Sequence, residues 1–252
     1  MTKVLLITGG ASGIGAETAR RAVSRGYKNI AINYRSRDAM AKKVVADIEA
    51  QGGKAIAIAG DMASEADIVR MFRETDRAFG PVTHLLNSAG IGARSRVDEY
   101  DAKVLSQVFA VNVVGLMLCC REATKRMSTG NGGKGGVIVN VSSLAATLGG
   151  RPGSSAYAAT KGAVDSFTKG FATEVAAEGI RVNSLRPGMV LTEMTEGRLK
   201  EEAFRKSIEA SIPMGRVGEA HEIAEAALWL LSDQSSFITG AMIDATGGGY
   251  RV

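Results

Sequence analysis

Short runs of branched apolar residues recur along the chain, separated by longer segments with apolar residues at helical spacing. The runs are rich in Val, Ile and Leu and do not alternate with polar positions, which is typical of strands covered on both faces of a parallel sheet. They predict strands at residues 4–7, 30–32, 55–59, 82–86, 137–141, 180–185 and 241–243.

The segments between these runs carry one apolar face. Met40, Val44 and Ile48 repeat at intervals of four, and Ile68 and Phe72 do the same in a later segment. Alternation of strands and helices along the whole chain predicts right-handed β-α-β units. The predicted fold class is therefore α/β, a doubly wound, seven-stranded parallel sheet (Rossmann-like) with helices on both faces.

Composition agrees with one folded unit. The 252 residues are 45% hydrophobic and 23% charged, which is enough to form a full core without disulfides or metal. No change of composition marks a boundary, so residues 1–252 are predicted to be a single dinucleotide-binding and catalytic domain. Cys119 and Cys120 are adjacent, which suits a core helix in a reducing compartment better than a disulfide framework.

The charge pattern excludes little and favours a small anionic ligand as much as a nucleic acid. The net charge is +5, and the basic residues are scattered in pairs. The longest strongly apolar stretch, residues 113–120, is shorter than the ~20 residues of a membrane span. The apolar run near the N-terminus is too short for a signal peptide. We therefore expect a cytoplasmic protein with neither nucleic-acid nor membrane partners.

Hydrolytic and metal chemistry find little support. The two histidines, His84 and His221, form no recognisable triad or zinc motif, and His84 falls within an apolar run typical of the core. No Gly-x-Ser-x-Gly sequence indicates a hydrolase nucleophile. No metal site is predicted.

A glycine-rich turn directly follows the first predicted strand. Residues 8–15 read TGGASGIG and precede a helix predicted over 16–24. Gly9, Gly13 and Gly15 permit a tight turn, close approach to phosphate oxygens and close packing of helix on strand. The free N–H groups and partial positive charge of a helix N-terminus suit a dinucleotide pyrophosphate.

The end of the second predicted strand indicates which dinucleotide the protein binds. Tyr34 stands where a site for NAD usually has a carboxylate, and Arg35, Ser36 and Arg37 follow. A guanidinium binds a phosphate through two parallel hydrogen bonds, so this segment predicts NADP(H). The alternative is a solvated basic loop.

Tyr157 and Lys161 are one helical turn apart and share a face. A free tyrosine has a pKa near 10, and a nearby ammonium group is expected to lower it, which would make the phenol a general acid or base. The same spacing also occurs on many helices without catalytic roles. Ser142 and Ser143, at the end of the preceding strand, supply hydroxyl donors for a developing alkoxide.

These residues carry a family resemblance over nearly the whole length. The chain resembles the short-chain dehydrogenase/reductase family in its compact single-domain branch. The motifs are residues 8–15, Asp61, Asn87-Ser88-Ala89-Gly90, Asn112, Ser143, Tyr157 with Lys161, Pro187-Gly188 and Ile238-Thr239-Gly240. The resemblance implies hydride transfer from a nicotinamide cofactor, with the protein supplying position and electrostatics.

The resemblance also implies roles. Tyr157 would be the general acid/base, and Lys161 would lower its pKa and bind the nicotinamide ribose. Ser143 would polarise the carbonyl, and Asn112 would support a proton-relay water. With Tyr157 and Lys161, the implied cofactor residues are Gly9, Ser12, Gly13, Ile14, Gly15, Tyr34, Arg35, Ser36, Asp61, Met62, Asn87, Ala89, Gly90, Pro187, Gly188, Val190 and Thr192.

Two departures from the family pattern affect the site. Ser88 replaces the usual second asparagine of the Asn-Asn-Ala-Gly signature. Ser143 precedes Tyr157 by one residue more than is usual in the family, so Ser143 is the predicted catalytic serine and Ser142 is the alternative.

The predicted function is an NADP(H)-dependent oxidoreductase that interconverts a small-molecule ketone or aldehyde and an alcohol. The alternative is a catalytically silent NADP(H)-binding regulatory protein of the same fold. The resemblance points towards 3-oxoacyl-thioester reductases and sugar-type dehydrogenases, and implies a homotetramer. Residues 189–216 would close over substrate, and Leu144, Thr147, Arg151 and Met189 would line its site. Arg94, Arg96 and Arg151 either attract an anionic substrate or are simply solvated.

Overall fold

The strands and helices follow one another in alternation. The computed structural model describes residues 2–249. Its strands are β1 (Val4–Thr8), β2 (Asn29–Tyr34), β3 (Lys54–Ala59), β4 (His84–Asn87), β5 (Gly136–Val141), β6 (Ile180–Pro187), β7 (Val190–Leu191), β8 (Gly218–Glu219) and β9 (Met242–Ala245). Its helices are α1 (Gly13–Ala22), α2 (Asp38–Glu49), α3 (Glu65–Phe79), α4 (Ala102–Phe109), α5 (Leu116–Met127), α6 (Ala145–Leu148), α7 (Ser155–Val175), α8 (Glu196–Leu199), α9 (Glu202–Ser211) and α10 (Ala220–Leu231).

Seven strands form one parallel sheet in the order β3-β2-β1-β4-β5-β6-β9. All seven predicted strands are confirmed, with ends that differ by one or two residues. The small parallel pair β7–β8 was not predicted, because two-residue strands carry no readable periodicity. The doubly wound α/β fold is therefore confirmed.

Alternate strand residues enter two separate cores, one on each face of the sheet. Leu5 and Ile7 of β1 pack in the core beneath α1, α2 and α10. Leu6, between them in sequence, packs in the core beneath α3, α5 and α7. All three side chains are fully buried, which explains why the strands read as unbroken apolar runs.

The strand order reverses beside β1. The chain moves outward from β1 through β2 to β3, and then crosses back to place β4 on the other side of β1. The loops that leave the carboxyl ends of β1 and β4 consequently diverge to opposite faces of the sheet. Such a switch point opens a crevice, which is where ligands bind in open α/β sheets.

The first helix begins earlier than its apolar pattern predicts. We predicted residues 16–24, but α1 starts at Gly13 and ends at Ala22, followed by a short 3₁₀ turn. Ser12, its N-terminal capping residue, is extended and makes no capping hydrogen bond through its side chain. The first unpaired N–H groups of the helix therefore belong to the glycine-rich loop itself, at the mouth of the crevice.

One apolar helical run is longer than the sequence patterns predict. The π-helical turn Ala110–Gly115 joins α4 to α5, so the run extends over Ala102–Met127 and is long and apolar enough, by length and composition alone, to cross a membrane. In this fold its inner face lies in the core, where Cys119 and Cys120 are buried and unpaired. Burial raises the pKa of the Cys120 thiol to about 12, which makes it a poor nucleophile.

His84 is a core residue, as predicted. Its Nδ1 lies 2.8 Å from the Thr83 hydroxyl, and its ring packs edge-on against Tyr27 at 5.0 Å between centroids. Burial lowers the pKa of His84 to about 4, so the ring is neutral at physiological pH. It is a satisfied structural group remote from the crevice.

Candidate active site

The crevice at the switch point is a cavity of about 480 Å³. It runs from the glycine-rich loop, past the ends of β2 and β4, to the N-terminal turn of α7. The structure brings most of the predicted site residues to its wall: Gly9, Ser12, Gly13, Ile14, Tyr34, Arg35, Ser36, Asp61, Met62, Ala89, Gly90, Ser143, Tyr157, Lys161, Pro187, Gly188, Val190 and Thr192.

The glycine-rich loop is seated directly on the segment that follows β4. The Thr8 hydroxyl accepts hydrogen bonds from the backbone N–H groups of Ser88 and Ala89, each at 3.1 Å. Gly9 has φ +65°, and a Cβ placed there would lie 2.9 Å from the Ala89 Cα. A Cβ on Gly15 would lie 2.5 Å from the Gly9 carbonyl oxygen, so this glycine serves packing and does not line the cavity.

A cluster of polar side chains forms the far end of the crevice. Arg35, Ser36 and Arg37 are exposed and line it beside Tyr34, whose hydroxyl donates to Asp38 at 2.8 Å. The carboxylate of Asp38 is thus hydrogen-bonded to Tyr34 and not to Arg35 or Arg37, so both guanidinium groups can face an anion. The two guanidinium groups give this end of the cavity a strongly positive character, suited to phosphate.

Asn33 supports the loops at this end, and the sequence analysis missed it. Its buried side-chain amide donates to the backbone oxygen of Gly60 at 3.0 Å, and its backbone oxygen accepts from Gly10 at 2.8 Å. Ala11, Arg37, Ser88 and Ser142, which belong to motifs named from the sequence, also line the cavity. The lining residues that were missed are Gly60, Ile91, Gly92, Val111, Val141, Glu193, Met194 and Thr195. Most line the cavity through their place on a loop, which periodicity does not reveal.

The predicted catalytic side chains meet at the other end. Tyr157 lies in the first turn of α7, with its phenol near the Ser143 hydroxyl. Lys161 follows one turn later, with its Nζ 5.7 Å from the centroid of the Tyr157 ring. The ammonium group is buried and donates to the Val141 backbone oxygen at 2.8 Å, at the end of β5.

The pKa of Tyr157 differs from the prediction. Burial raises the pKa of the phenol, and the hydrogen bond from Ser143 opposes that rise. Burial also lowers the pKa of Lys161 to about 8, against the opposing charge of Asp165. The expected lowering of the Tyr157 pKa was therefore wrong for this structure, because desolvation of the buried phenol disfavours its charged form.

The two neighbouring serines have different surroundings. Ser142 is buried, and its hydroxyl donates to the backbone oxygen of Lys161 at 3.1 Å. Ser143 is only partly buried; its hydroxyl accepts from the Ala145 N–H at 3.1 Å and lies near the Tyr157 phenol. Ser143 thus faces the reactive phenol, whereas Ser142 ties β5 to α7.

Asn112 is fully buried in the π-helical turn and acts as a clamp. Its amide exchanges two hydrogen bonds with the backbone of Ile91, at 2.8 and 2.9 Å, and donates a third to Thr160 at 3.1 Å. A Cβ placed on Gly90 would lie 3.4 Å from Asn112 Oδ1 and 3.6 Å from Lys161 Nζ. Both amide hydrogens are used, so any bound water would reach only oxygen atoms of Asn112.

Several predicted residues lie elsewhere. Asn87 does not line the crevice; its buried side chain donates to Asn140 Oδ1 at 2.9 Å, between β4 and β5. Leu144 and Met189 line a neighbouring cavity of about 580 Å³. Thr147 is exposed and donates to the Leu144 backbone oxygen. Arg151 contacts Phe204 outside the crevice.

Residues 2–249 contain no group of three or more His, Cys, Asp or Glu side chains able to hold a metal ion.

Replacing Lys161 with methionine is expected to increase stability at pH 7. The pKa of Lys161 is about 8 in the folded protein and 10.5 as its ordinary value, so burying the charged amine costs stability below pH 8. Between pH 8 and 10.5 the folded protein binds fewer protons than the unfolded chain, so this cost in stability falls as the pH rises. The stability advantage of Lys161→Met over wild type should shrink by about 2–3 kcal/mol between pH 7 and pH 10. Urea unfolding of both proteins at pH 7 and pH 10 measures this difference in the free energy of unfolding. An equal advantage at both pH values would contradict a lowered pKa for a buried Lys161.

Comparison with known proteins finds similar sequences that cover nearly the whole chain. Residues 9–250 match the family model described as enoyl-(acyl carrier protein) reductase. An uncharacterised oxidoreductase of Escherichia coli, YgfF, is 44% identical over 97% of this chain and 99% of its own. The 3-oxoacyl-[acyl-carrier-protein] reductase of Mus musculus is 39% identical over 98% of both chains.

Solved structures superpose closely. A blue fluorescent protein from a metagenomic library, in complex with NADPH, is 31% identical with a TM-score of 0.89, covering 98% of this chain and 97% of its own. A short-chain dehydrogenase from Burkholderia cenocepacia, in complex with NADP, is 30% identical with a TM-score of 0.89, covering 99% and 98%. Together with the glycine-rich loop and the Ser143, Tyr157 and Lys161 cluster, these similarities show that the chain belongs to the short-chain dehydrogenase/reductase family.

Proposed function

We propose that this protein is an NADP(H)-dependent oxidoreductase that interconverts a ketone or aldehyde and an alcohol. One observation carries the proposal: a single cavity joins the glycine-rich loop and the basic segment at one end to Ser143, Tyr157 and Lys161 at the other. A dinucleotide that spans this cavity would bring its nicotinamide beside the phenol.

The cofactor side of the proposal rests on charge and shape. The pyrophosphate would bind at the N-terminus of α1, where the loop N–H groups are unpaired. Arg35 and Arg37 would hold the 2′-phosphate, with the Ser36 hydroxyl as a further donor. Relatives at 30–31% identity were solved with NADP or NADPH, which supports the same ligand here.

The remaining wall would seat the rest of the cofactor. Asp61 and Met62 lie where the adenine ring would stack, at the carboxyl end of β3. At the opposite end, Pro187 and Gly188 follow β6, with Val190 and Thr192 beyond them, and would hold the nicotinamide. A turn in which the Thr192 N–H donates to the Thr195 hydroxyl at 3.0 Å gives this segment a defined shape.

The catalytic step uses a proton that the site already holds. The bound nicotinamide supplies the hydride. Because burial raises the pKa of Tyr157, the phenol is protonated at neutral pH and is ready to donate to a carbonyl oxygen. Ser143 would donate a second hydrogen bond to that oxygen.

Lys161 and Asn112 would complete the proton supply. Lys161, with its pKa lowered to about 8, is mostly protonated at pH 7 and can also contact the nicotinamide ribose. Oxygen atoms of Asn112 would hold the water that links the ammonium group to solvent. Neither group needs to touch the substrate.

The similar proteins act on more than one class of substrate. The relatives include a 3-oxoacyl-[acyl-carrier-protein] reductase at 39% identity and a 3β-hydroxysteroid dehydrogenase of Eggerthella lenta at 35% identity. Substrate would enter beside Ser143, with residues 189–216 closing over it. Leu144 and Met189 line the adjoining cavity and would contribute as that segment moves, whereas Thr147 and Arg151 line neither cavity.

We further propose a cytoplasmic homo-oligomer, with a tetramer as the expected form. Val104 and Val114, in α4 and the π-helical turn, are exposed by 53% and 51%. Phe237 is fully exposed near the end of the chain. Apolar side chains of this size on a soluble surface are commonly covered by another protein surface.

NADPH oxidation by the purified protein across ketoesters, sugars, quinones and acyl thioesters tests the function. We expect turnover with at least one class, and a loss of about a hundredfold or more in kcat for Ser143→Ala. Ser142→Ala is the matched control and should lose far less, because that hydroxyl contacts backbone only. Tight NADPH binding with no turnover on any substrate would favour a catalytically silent binding protein.

A further inference from the structure

Asp165 is a buried carboxylate that the proposed mechanism does not use. It lies on α7 four residues after Lys161, and residues at this spacing share one face of a helix. Its side chain is enclosed by the protein and removed from solvent. Burying a charged carboxylate is costly unless other groups compensate for the lost water, so the partners of Asp165 decide what it can do.

Two side chains of β6 hold this carboxylate. Its Oδ1 accepts from the Ser184 hydroxyl at 2.7 Å, and its Oδ2 accepts from Arg186 Nε at 2.7 Å. Ser184 and Arg186 are two positions apart on the strand, so their side chains point to the same face of the sheet, the one that α7 covers. The carboxylate is therefore fixed by two hydrogen bonds, one of which belongs to an ion pair with a mostly buried guanidinium.

The ion pair lies at the edge of the sheet where the crevice opens. Arg186 directly precedes Pro187 and Gly188, which line the crevice at the end of β6. The Pro187 backbone oxygen accepts from the Leu144 N–H at 2.9 Å, in the loop that follows β5. The carboxylate of Asp165 is therefore held close to the catalytic end of the crevice, although it does not line the cavity.

The charges that face Lys161 come from α7 and β6. On α7 its titratable neighbours are Tyr157 and Asp165, and on β6 the charged partner of the carboxylate is Arg186. The other packed segments contribute neutral neighbours: Gly90, Asn112, Ser142 and the backbone oxygen of Val141. Burial lowers the pKa of Lys161 to about 8, and the negative charge of Asp165 opposes that fall.

We propose that Asp165 is a positioning residue that acts on the reaction through Lys161. Its carboxylate, fixed by β6, keeps the neighbouring amine charged beside the reacting groups. This inference rests on the proposed function, because it names a residue that prepares the same site for proton transfer. Without a negative charge one turn away, desolvation would leave a larger share of the amine neutral at pH 7.

NMR of protein that contains lysine labelled with ¹³C at Cε gives the pKa of Lys161 without any substrate, and Lys161→Met identifies its signal. In Asp165→Asn we expect Lys161 to bind a proton about tenfold more weakly, so that its pKa falls. The variant loses the negative charge near the amine and keeps the positive charge of Arg186. A purely structural role predicts the opposite sign, because a loosened helix would admit water and raise the pKa towards its ordinary value of 10.5.

A second variant serves if Asp165→Asn does not fold. The double variant Asp165→Asn with Arg186→Gln removes both charges of the ion pair, which proteins tolerate better than the loss of one buried partner. The pKa of Lys161 should fall here too, by a smaller amount, because the carboxylate is the nearer of the two charges. A rise in the pKa of Lys161 in either variant would overturn the proposal.

Asp244→Asn is the matched control. Asp244 lies opposite Arg186 on β9, with its Oδ1 3.6 Å from that guanidinium, and its side chain is half-exposed. The substitution removes an equal charge beside the same arginine, but on the side of β6 that faces away from β5 and Lys161. Proton binding by Lys161 should stay within about twofold of wild type. If Asp165→Asn lowers the pKa of Lys161 no more than this control does, the proposal is wrong.

The pH dependence of kcat for carbonyl reduction gives the functional readout. Its alkaline limb should move about one pH unit lower in Asp165→Asn and stay in place in Asp244→Asn. A limb that stays in place in both variants would overturn the proposal. If no substrate is turned over but the pKa of Lys161 falls as expected, the proposed function fails and the link between Asp165 and Lys161 stands. If turnover occurs and the pKa does not fall, that link fails alone.

Discussion

Tyr157→Phe is expected to lower kcat for carbonyl reduction about a thousandfold while leaving the Kd for NADPH within about twofold of wild type. The Tyr157 phenol lines the crevice near Ser143 and carries a transferable proton. Removing one oxygen leaves the ring, its packing and the Lys161 contact in place. Single-turnover measurement of NADPH oxidation, with fluorescence titration of NADPH, separates chemistry from binding.

Tyr100→Phe provides the matched control for this loss. The Tyr100 hydroxyl bonds with Ser155 and accepts from the Ala156 N–H at 3.2 Å, so it supports the same first turn of α7 from outside the crevice. This variant should retain most of its activity. If Tyr157→Phe did so as well, the proton would come from another group and the proposed mechanism would fail.

The second large effect is a reversal of cofactor preference. Arg35→Asp is expected to reduce the ratio of kcat/KM for NADP(H) over NAD(H) by roughly a thousandfold. The substitution removes a guanidinium from the wall of the crevice and places a carboxylate where it repels a 2′-phosphate and accepts from a ribose hydroxyl. Initial rates with both cofactors at matched substrate concentration measure the ratio.

Lys43→Asp serves as the charge control for that experiment. Lys43 is exposed on α2 and does not line the crevice, so its replacement changes the overall charge equally but not the contacts at the phosphate. Its ratio should stay close to that of the wild type. A wild-type preference for NAD(H), or equal shifts in Arg35→Asp and Lys43→Asp, would refute the assignment of the basic segment.

The fold was predictable because its strands are buried on both faces. Val4 to Ile7 can be read as a strand from composition alone, since every side chain enters one of the two cores. The start of α1 was not predictable in the same way. Its first turn is Gly13-Ile14-Gly15, and the close approach of Gly15 to the Gly9 carbonyl is a packing constraint that apolar spacing does not reveal.

The site was predictable as a set of residues but not in its electrostatics. The spacing of Tyr157 and Lys161 places both on one face of α7, and both do line the crevice. The predicted direction of the Tyr157 pKa shift was wrong because the shift depends on desolvation of the phenol, which only the packed structure reveals. The choice between Ser142 and Ser143 likewise depended on which hydroxyl lies near the Tyr157 phenol and which bonds to the backbone of Lys161.

The contact between Gly9 and Ala89 means that the glycine-rich loop and the segment after β4 can evolve only together. The backbone atoms of these residues are so close that no side chain fits between them, and the Thr8 hydroxyl spans the same junction. A substitution that moved the glycine-rich loop would therefore also move the segment after β4, which includes Ile91, the residue whose backbone is hydrogen-bonded to Asn112. A substitution in the glycine-rich loop would therefore also affect the catalytic end of the crevice. We expect a change of cofactor preference by gradual loop remodelling to be confined to the basic segment after β2.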